Sequence, residues 1–299
     1  MRLVTRADLD GLACATIFME NEEFDELLLV HPQQITDKKV EIRPGDTIAN
    51  LPYHPDCGRW FDHHLLTESN ETPPADFDGI YRKAPSAAQL VWEYYGKPER
   101  HRFMVERTDL FDSAQLTESD VLRPQDWMLL GFTVDPRTGH EDHEAYFRQC
   151  LDWLLREPLD QVLIRPEVKS RIEDMFQQNE AFCWELMQRS RVDGNVVFTD
   201  FRQVASPTVG NRFLIYTLFP EANVSVRAQL KPARHDGEDD VVMVNVGHSI
   251  FDRSCRVSVG ELMSDYGGGG HFGAGSAPLS VLESDAKLLE IIAALQDPS

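Results

Sequence analysis

A chain of 299 residues, 42% of them hydrophobic, is long enough for two domains with cores of their own. Its formal net charge of -21 repels a polyanion, which argues against a long nucleic acid and leaves short phosphate ligands met by local cations or a metal. Cys14, Cys57, Cys150, Cys183 and Cys255 show no paired spacing and read as reduced thiols, and no signal pattern or bilayer-length apolar run (about 20 residues) occurs, so a cytoplasmic protein without a membrane anchor is expected.

Residues 1–5 read as a short apolar strand. The acidic loop Asp8-Leu9-Asp10-Gly11 follows, and residues 12–20 have the small, apolar composition of a helix packed on a sheet. Strands are expected at 27–31, at 47–51 after the Gly45-Asp46 turn, and at Trp60-Phe61 after Gly58. Residues 67–78 read as a surface loop, and 86–95 as a helix capped by Ser86. Residues 100–122 are helical in pattern, with an acidic knot from Asp109 to Ser113. Pro124, Pro136 and Gly139 then break the chain into short pieces before a helix at 146–155. The long helix at 165–191, ended by Asp193-Gly194, reads as a connector. Beyond it come a strand at 196–201, a helix at 209–219, and strands at 223–230 and 241–246 joined by an acidic turn at 235–240. A helix at 259–266, a glycine loop, a strand at 276–282 and a helix at 284–296 complete the chain. The fold class is α/β throughout: a parallel-sheet N-terminal domain over 1–160, a helical connector over 161–194 and a smaller α/β C-terminal domain over 195–299.

Three stretches carry chemistry. Asp8 and Asp10 share one tight loop, where two carboxylates repel each other unless a cation lies between them; helix capping by Asp10 is the alternative. Arg59-Trp60-Phe61-Asp62-His63-His64 runs from a buried strand straight into a carboxylate and two imidazoles, donors suited to manganese, zinc or iron. Such a change marks the carboxyl edge of a parallel sheet, although a His pair there can also be structural. Gly267-Gly268-Gly269-Gly270-His271, continued by Gly273-Ala274-Gly275-Ser276, lets backbone N–H groups turn toward an anion, where a flexible loop is the alternative. Phe251 and Phe272 could stack a base or fill the core. His140-Glu141-Asp142-His143 has metal-like spacing but opens a helix and reads as solvated capping residues.

The ordered set Thr5-Arg6-Ala7-Asp8-Leu9-Asp10-Gly11, Asp62-His63-His64 and Gly267 to His271 with Gly273-Ala274-Gly275 resembles the DHH phosphoesterase superfamily with its DHH-associated C-terminal domain. The resemblance covers essentially the whole chain and embraces oligoribonuclease-like and exopolyphosphatase-like enzymes. It implies two manganese ions in the N-terminal domain and a C-terminal domain that grips the far end of a substrate held in an interdomain cleft. Carried over by residue, Asp8 belongs to the first metal, and Asp10 and His63 to the second. His64 sits beside the reacting phosphate, and Asp62 orients its neighbours. Asp112 supplies a further ligand, with Asp109 the runner-up. Gly268, Gly269, Gly270 and His271 grip phosphate, and His248 stands where relatives often have an arginine for the substrate.

Besides His248, two positions in the N-terminal motifs depart from the family pattern. Arg6 replaces a histidine and cannot give up a proton to bind metal, and Asn50 replaces a bridging aspartate with a neutral amide. If the Arg6 guanidinium takes the place of the first metal beside Asp8, no bridge is needed, and Asp10, His63 and Asp112 hold one ion, Mn2+ by preference. The expected function is a metal-dependent phosphohydrolase acting on a phosphodiester or phosphoanhydride in a small substrate or short oligonucleotide. The alternative is a binding protein that keeps the anion grip without turnover.

Overall fold

The structure is a computed structural model that describes residues 1–64, 72–233 and 239–296. The chain packs as two compact units, one of Met1–Leu116 with Arg123–Met175, the other of Thr117–Leu122 with Phe176–Ser299. No helix among the described residues is long and apolar enough to cross a membrane.

The first unit begins with β1 (Arg2–Thr5), α1 (Leu9–Asn21), β2 (Glu26–Leu29), α2 (Pro32–Thr36), β3 (Thr47–Ala49), β4 (Arg59–Asp62) and β5 (Gly79–Tyr81). All neighbouring strands run parallel, in the order β2-β1-β3-β4-β5. Both faces of this sheet are covered, so its strands are apolar at successive positions. Leu3, Ala49 and Phe61 join Leu12, Ile17 and Phe18 of α1 on one face. Val4, Ile48 and Trp60 pack with Val30, Ile35 and Tyr53 on the other. Sequence order reverses between β1 and β3, and in such sheets ligands bind outside the carboxyl ends of the strands at that switch point.

Among the described residues, α3 (Ala87–Tyr94), α4 (Arg102–Asp112), α6 (Asp126–Thr133), α7 (His143–Leu154) and α8 (Leu159–Leu163) belong to this unit as well, while the intervening α5 (Glu118–Leu122) belongs to the second unit. The helix α9 (Pro166–Arg189) contributes to both.

The second unit carries β6 (Ser190–Asp193), β7 (Val196–Asp200), α10 (Leu214–Leu218), β8 (Val224–Lys231), β9 (Val241–His248), α11 (Val259–Ser264), β10 (Gly269–His271), β11 (Ala274–Ser280) and α12 (Ser284–Leu295). Its sheet, in the order β10-β11-β9-β8-β7-β6, is antiparallel except between β7 and β8. Alternation decides which face is covered: Val224, Val226 and Ala228 are buried against the helices, and Ser225, Arg227 and Gln229 turn the other way.

Several elements depart from the sequence reading. The first helix starts at Leu9, because the carboxylate of Asp8 caps it. His31, read as the end of a strand, caps α2 through Nδ1. The expected helix at 209–219 shrinks to Leu214–Leu218. β5, β6, α2 and α6 carried no clear periodicity. The expected surface loop at 67–78 and acidic turn at 235–240 lie partly outside the described residues.

Candidate active site

The site residues of the first unit stand at the carboxyl ends of β1, β3 and β4, joined by Asp112 at the end of α4. After Thr5 the chain must turn immediately into α1, and Gly11 permits this: a Cβ there would lie 1.9 Å from the Arg6 carbonyl oxygen. Asp8 Oδ1 accepts the Gly11 N–H at 2.9 Å, which fixes Asp8 as the cap and places Asp10 inside the first turn. The Asp10 carboxylate therefore caps a different helix. It is buried and accepts the amides of Ala87 and Ala88, each at 2.8 Å, at the positive N-terminus of α3.

His63 and Asp112 complete the centre. The Nδ1 of His63 lies 3.1 Å from the Ala84 carbonyl, which can only accept, so Nδ1 carries the proton and Nε2 presents a lone pair. That Nε2 is buried without a hydrogen-bond partner, 3.3 Å from Asp112 Oδ2 and 3.7 Å from Asp10 Oδ2. A ring lone pair facing two carboxylate oxygens is repulsive in any state without protons or a cation between them. Burial, the neighbouring Asp8 charge and the opposing Ala87 and Ala88 amides leave the Asp10 carboxyl at a pKa of about 7. Burial and the Asp10 charge raise Asp112 to about 7, against the pull of His63. One nitrogen and two carboxylates within reach of one point are a donor set for a divalent transition metal. The residues present fit such an ion, which would polarise a phosphoryl oxygen and lower the pKa of a bound water.

Asp62, buried at the end of β4, accepts the His63 N–H at 2.9 Å and contacts His64 Nδ1 at 2.8 Å, which aims the half-exposed His64 ring. Burial disfavours the His64 imidazolium, but the hydrogen bond and charge of Asp62 outweigh it and raise the pKa to about 9.

Asp8 is engaged differently. Arg6 Nε lies 3.0 Å from its Oδ2, and Asn50 Nδ2 donates to its Oδ1 at 2.9 Å, beside the Gly11 amide. Three donors thus surround this carboxylate. Asn50 follows β3 with φ at 56°, a left-handed conformation that asparagine and aspartate tolerate better than most side chains, and its Oδ1 is buried without a partner. Asp109 stands apart, accepting the Ser86 hydroxyl at 2.5 Å at the cap of α3.

In the second unit the glycine run is partly a strand. Gly269–His271 form the edge strand β10, and the amides of Gly267 and Gly268 bond the Ser264 and Met263 carbonyls at the end of α11, which narrows the expected cradle of N–H groups. A Cβ at Gly268 would meet the Ser276 carbonyl oxygen at 1.9 Å, whereas one at Gly269 would stand in open space. His271 is exposed, and its Nδ1 accepts the Gly273 amide at 3.2 Å, so Nε2 is the outward donor. His248 donates from Nε2 to the Val257 carbonyl at 3.0 Å and meets the Phe272 ring edge-on at 5.3 Å. Phe251 and Phe272 are 36% and 55% exposed, which removes the core role considered for them.

No protein-family model and no curated protein matches the chain. Solved structures do. The pGpG-specific phosphodiesterase PggH from Vibrio cholerae is 35% identical, with 98% of each chain covered and a TM-score of 0.84. The chain belongs to the DHH phosphoesterase superfamily. A manganese complex of RecJ from Thermus thermophilus shares the fold at 12% identity and a TM-score of 0.61, with 100% of this chain and 52% of that one covered. An exopolyphosphatase-related protein from Bacteroides fragilis does so at 13% identity and 0.52, covering 99% and 91%. This DHH chain thus gathers Asp10, His63 and Asp112, and Asp62, His63 and His64, into groups that could hold a metal ion.

The sequence reading missed what holds this cluster. The Ala84 carbonyl and the Ala87 and Ala88 amides are backbone groups on residues of no chemical distinction. His143, read as a solvated cap, instead donates from Nε2 to the Ala7 carbonyl at 2.6 Å, tying the start of α7 to the acidic loop.

Proposed function

We propose that this chain is a divalent-metal phosphodiesterase that hydrolyses a linear dinucleotide of the pGpG type, with one ion held by Asp10, His63 and Asp112 and Mn2+ preferred over Mg2+. The unpaired Nε2 of His63, facing two carboxylates, carries this reading, because an ion is what makes the arrangement attractive. The 35% identity to PggH across nearly the full length supports the substrate class. In this reading Asp62 and His64 stand beside the reacting phosphate, Arg6 supplies fixed charge beside Asp8, Asn50 lends its free Oδ1 to the metal side, and His271, with Gly268, Gly269, Gly270 and His248, meets the far end of the substrate. The test is hydrolysis of pGpG to GMP by manganese-loaded protein, compared with cyclic dinucleotides, longer oligoribonucleotides and polyphosphate. Turnover of polyphosphate alone would overturn the substrate class.

A second reading, a phosphate-ligand binding protein without turnover, is favoured by one observation: Asp8 is already satisfied by Arg6, Asn50 and Gly11. Tight binding of pGpG without GMP release, at any manganese concentration, would establish it.

Two expected results follow from the geometry. The first is pH dependence. Asp10 and Asp112 hold protons up to a pKa of about 7 in the folded chain, well above the usual carboxylate range. The unfolded chain gives up those protons first, so the metal-free protein loses stability as pH rises from about 4 to about 7. An ion reverses the penalty and competes with the same protons. The rise in Tm on adding manganese is therefore expected to be small at about pH 5.5 and large at about pH 8. An equal rise at both would contradict the assignment. The second is His271→Ala, expected to weaken GMP binding by about 1.5 to 3 kcal/mol, the range for a charge-assisted hydrogen bond, with manganese affinity unchanged in calorimetry.

A further inference from the structure

One guanidinium in the first unit is oriented for work that none of the residues above performs. α6 docks against the immediate neighbours of the cluster: a Cβ at Gly131 would meet Leu9 at 2.6 Å and the Phe111 ring at 3.2 Å, and Phe132 packs edge-on against Phe111 at 4.9 Å. Leu9 separates Asp8 from Asp10, and Phe111 precedes Asp112. The chain leaving α6 turns through Pro136–Thr138 and returns at His143, which grips the Ala7 carbonyl at 2.6 Å. The 134–142 connection is thus tied at one end to Leu9 and Phe111, the neighbours of Asp8 and Asp112, and at the other to Ala7.

Arg137 sits in that connection. Asp135 takes its backbone N–H at 2.9 Å and its Nε at 2.7 Å through Oδ1, and its Nη2 at 2.5 Å through Oδ2. This two-point grip fixes the plane of the guanidinium, and its side chain stays half-exposed. Burial works against the Arg137 charge, but the hydrogen bonds and charge of Asp135, with smaller contributions from Asp8 and Asp112, hold its pKa above the ordinary value. A surface ion pair between residues two apart would do little for stability. A planar cation held rigidly at the edge of a carboxylate cluster, with N–H donors left over, is arranged to meet a phosphate.

We propose that Arg137, clamped by Asp135, is a catalytic residue that contacts the non-bridging oxygens of the phosphate being cleaved. This rests on the phosphodiesterase reading. In that reaction a water oxygen attacks phosphorus, the bond from phosphorus to the 3′ oxygen breaks, and one water proton ends on the released 3′ hydroxyl while the other stays with the new phosphate monoester. Arg137 keeps its protons throughout and offsets charge on the phosphoryl oxygens. Asp135 is a positioning residue.

The experiment uses the full-length, manganese-loaded protein, with pGpG as substrate and GMP as equilibrium ligand. Arg137→Ala is expected to lower kcat/KM about 100-fold, chiefly in kcat, with manganese affinity within about twofold of the parent. Added guanidinium ion should restore part of that loss, which a merely structural arginine would not allow. Arg137→Lys keeps the charge but not the fork and should fall between. Asp135→Asn should reduce kcat about tenfold while Arg137 remains. The same Arg137→Ala protein should bind GMP about tenfold more weakly. Parental kcat/KM in Arg137→Ala would overturn the proposal, as would loss of manganese along with the rate. If the parent itself releases no GMP from pGpG, the phosphodiesterase reading fails. Unchanged GMP affinity in Arg137→Ala would then overturn the phosphate contact separately.

Discussion

His63→Ala is expected to abolish tight manganese binding, with affinity in calorimetry falling at least about 100-fold and pGpG hydrolysis falling with it. The side chain's proposed role as a ligand rests on the other ring nitrogen being already engaged. Its Nδ1 proton is fixed on the Ala84 carbonyl, so the ring cannot turn Nε2 into a donor for Asp112 while staying neutral. Removing the imidazole leaves Asp10 and Asp112 facing each other, and both should keep protons near neutrality. The variant should still fold, because the hydrogen bonds that the Ala87 and Ala88 N–H groups donate to Asp10 and the packing of Phe61 under the same strand end are untouched. A parental manganese affinity in a folded His63→Ala protein would show that the ion lies elsewhere and would undo the assignment of the centre.

The neighbouring aspartates separate the same way. Asp112 Oδ2 shares the space in front of His63, whereas Asp109 is tied to Ser86 at the head of α3. Loss of Asp112 should therefore act on the metal, and loss of Asp109 on the seating of the helix that feeds amides to Asp10.

How much of this was legible in the chain depends on the kind of force involved. The parallel sheet was visible because strands buried on both faces read as apolar runs that end abruptly in polar residues, as Trp60-Phe61 does before Asp62. The motifs were visible because Asp, His and Gly are chemically distinctive. Whether Asp8 or Asp10 caps α1 was not visible: it depends on how far the turn after Thr5 can tighten, which the 1.9 Å approach at Gly11 decides. The destination of the Asp10 carboxylate was hidden as well. Its partners are main-chain amides 77 and 78 residues away, and sequence assigns no chemistry to Ala87 or Ala88. The glycine run misled in part, since glycine suits an edge strand under close backbone approach as well as a loop. Arg137 carried no signal either, because a Pro-Arg-Thr-Gly turn reads as a break between helices.

The double change Arg6→His with Asn50→Asp is expected to raise manganese stoichiometry from the proposed one ion to two and to increase phosphodiester hydrolysis well above the parent. In the present arrangement Asp8 Oδ2 faces the Arg6 guanidinium at 3.0 Å and Oδ1 receives the Asn50 amide at 2.9 Å beside the Gly11 N–H, so three donors already compete with a second cation for this carboxylate. Asn50→Asp alone would place a carboxylate against Asp8, but Arg6 would neutralise the pair, and little gain in metal is expected. Arg6→His alone would remove the cation and still leave the Asn50 amide on Asp8, so the second site would lack its bridge. Position 50 can accept aspartate without strain beyond the present level, since its φ of 56° suits both residues. Together the two changes supply an imidazole, a bridging carboxylate and a released Asp8, the mix that manganese prefers. Residues that touch the same carboxylate should be coupled in this way, with the double effect exceeding the sum of the singles. Metal counting on the four proteins reads it directly. Two ions already bound to the parent would show that Arg6 does not stand in for the first of them, and its contact with Asp8 would then have to act on the substrate instead.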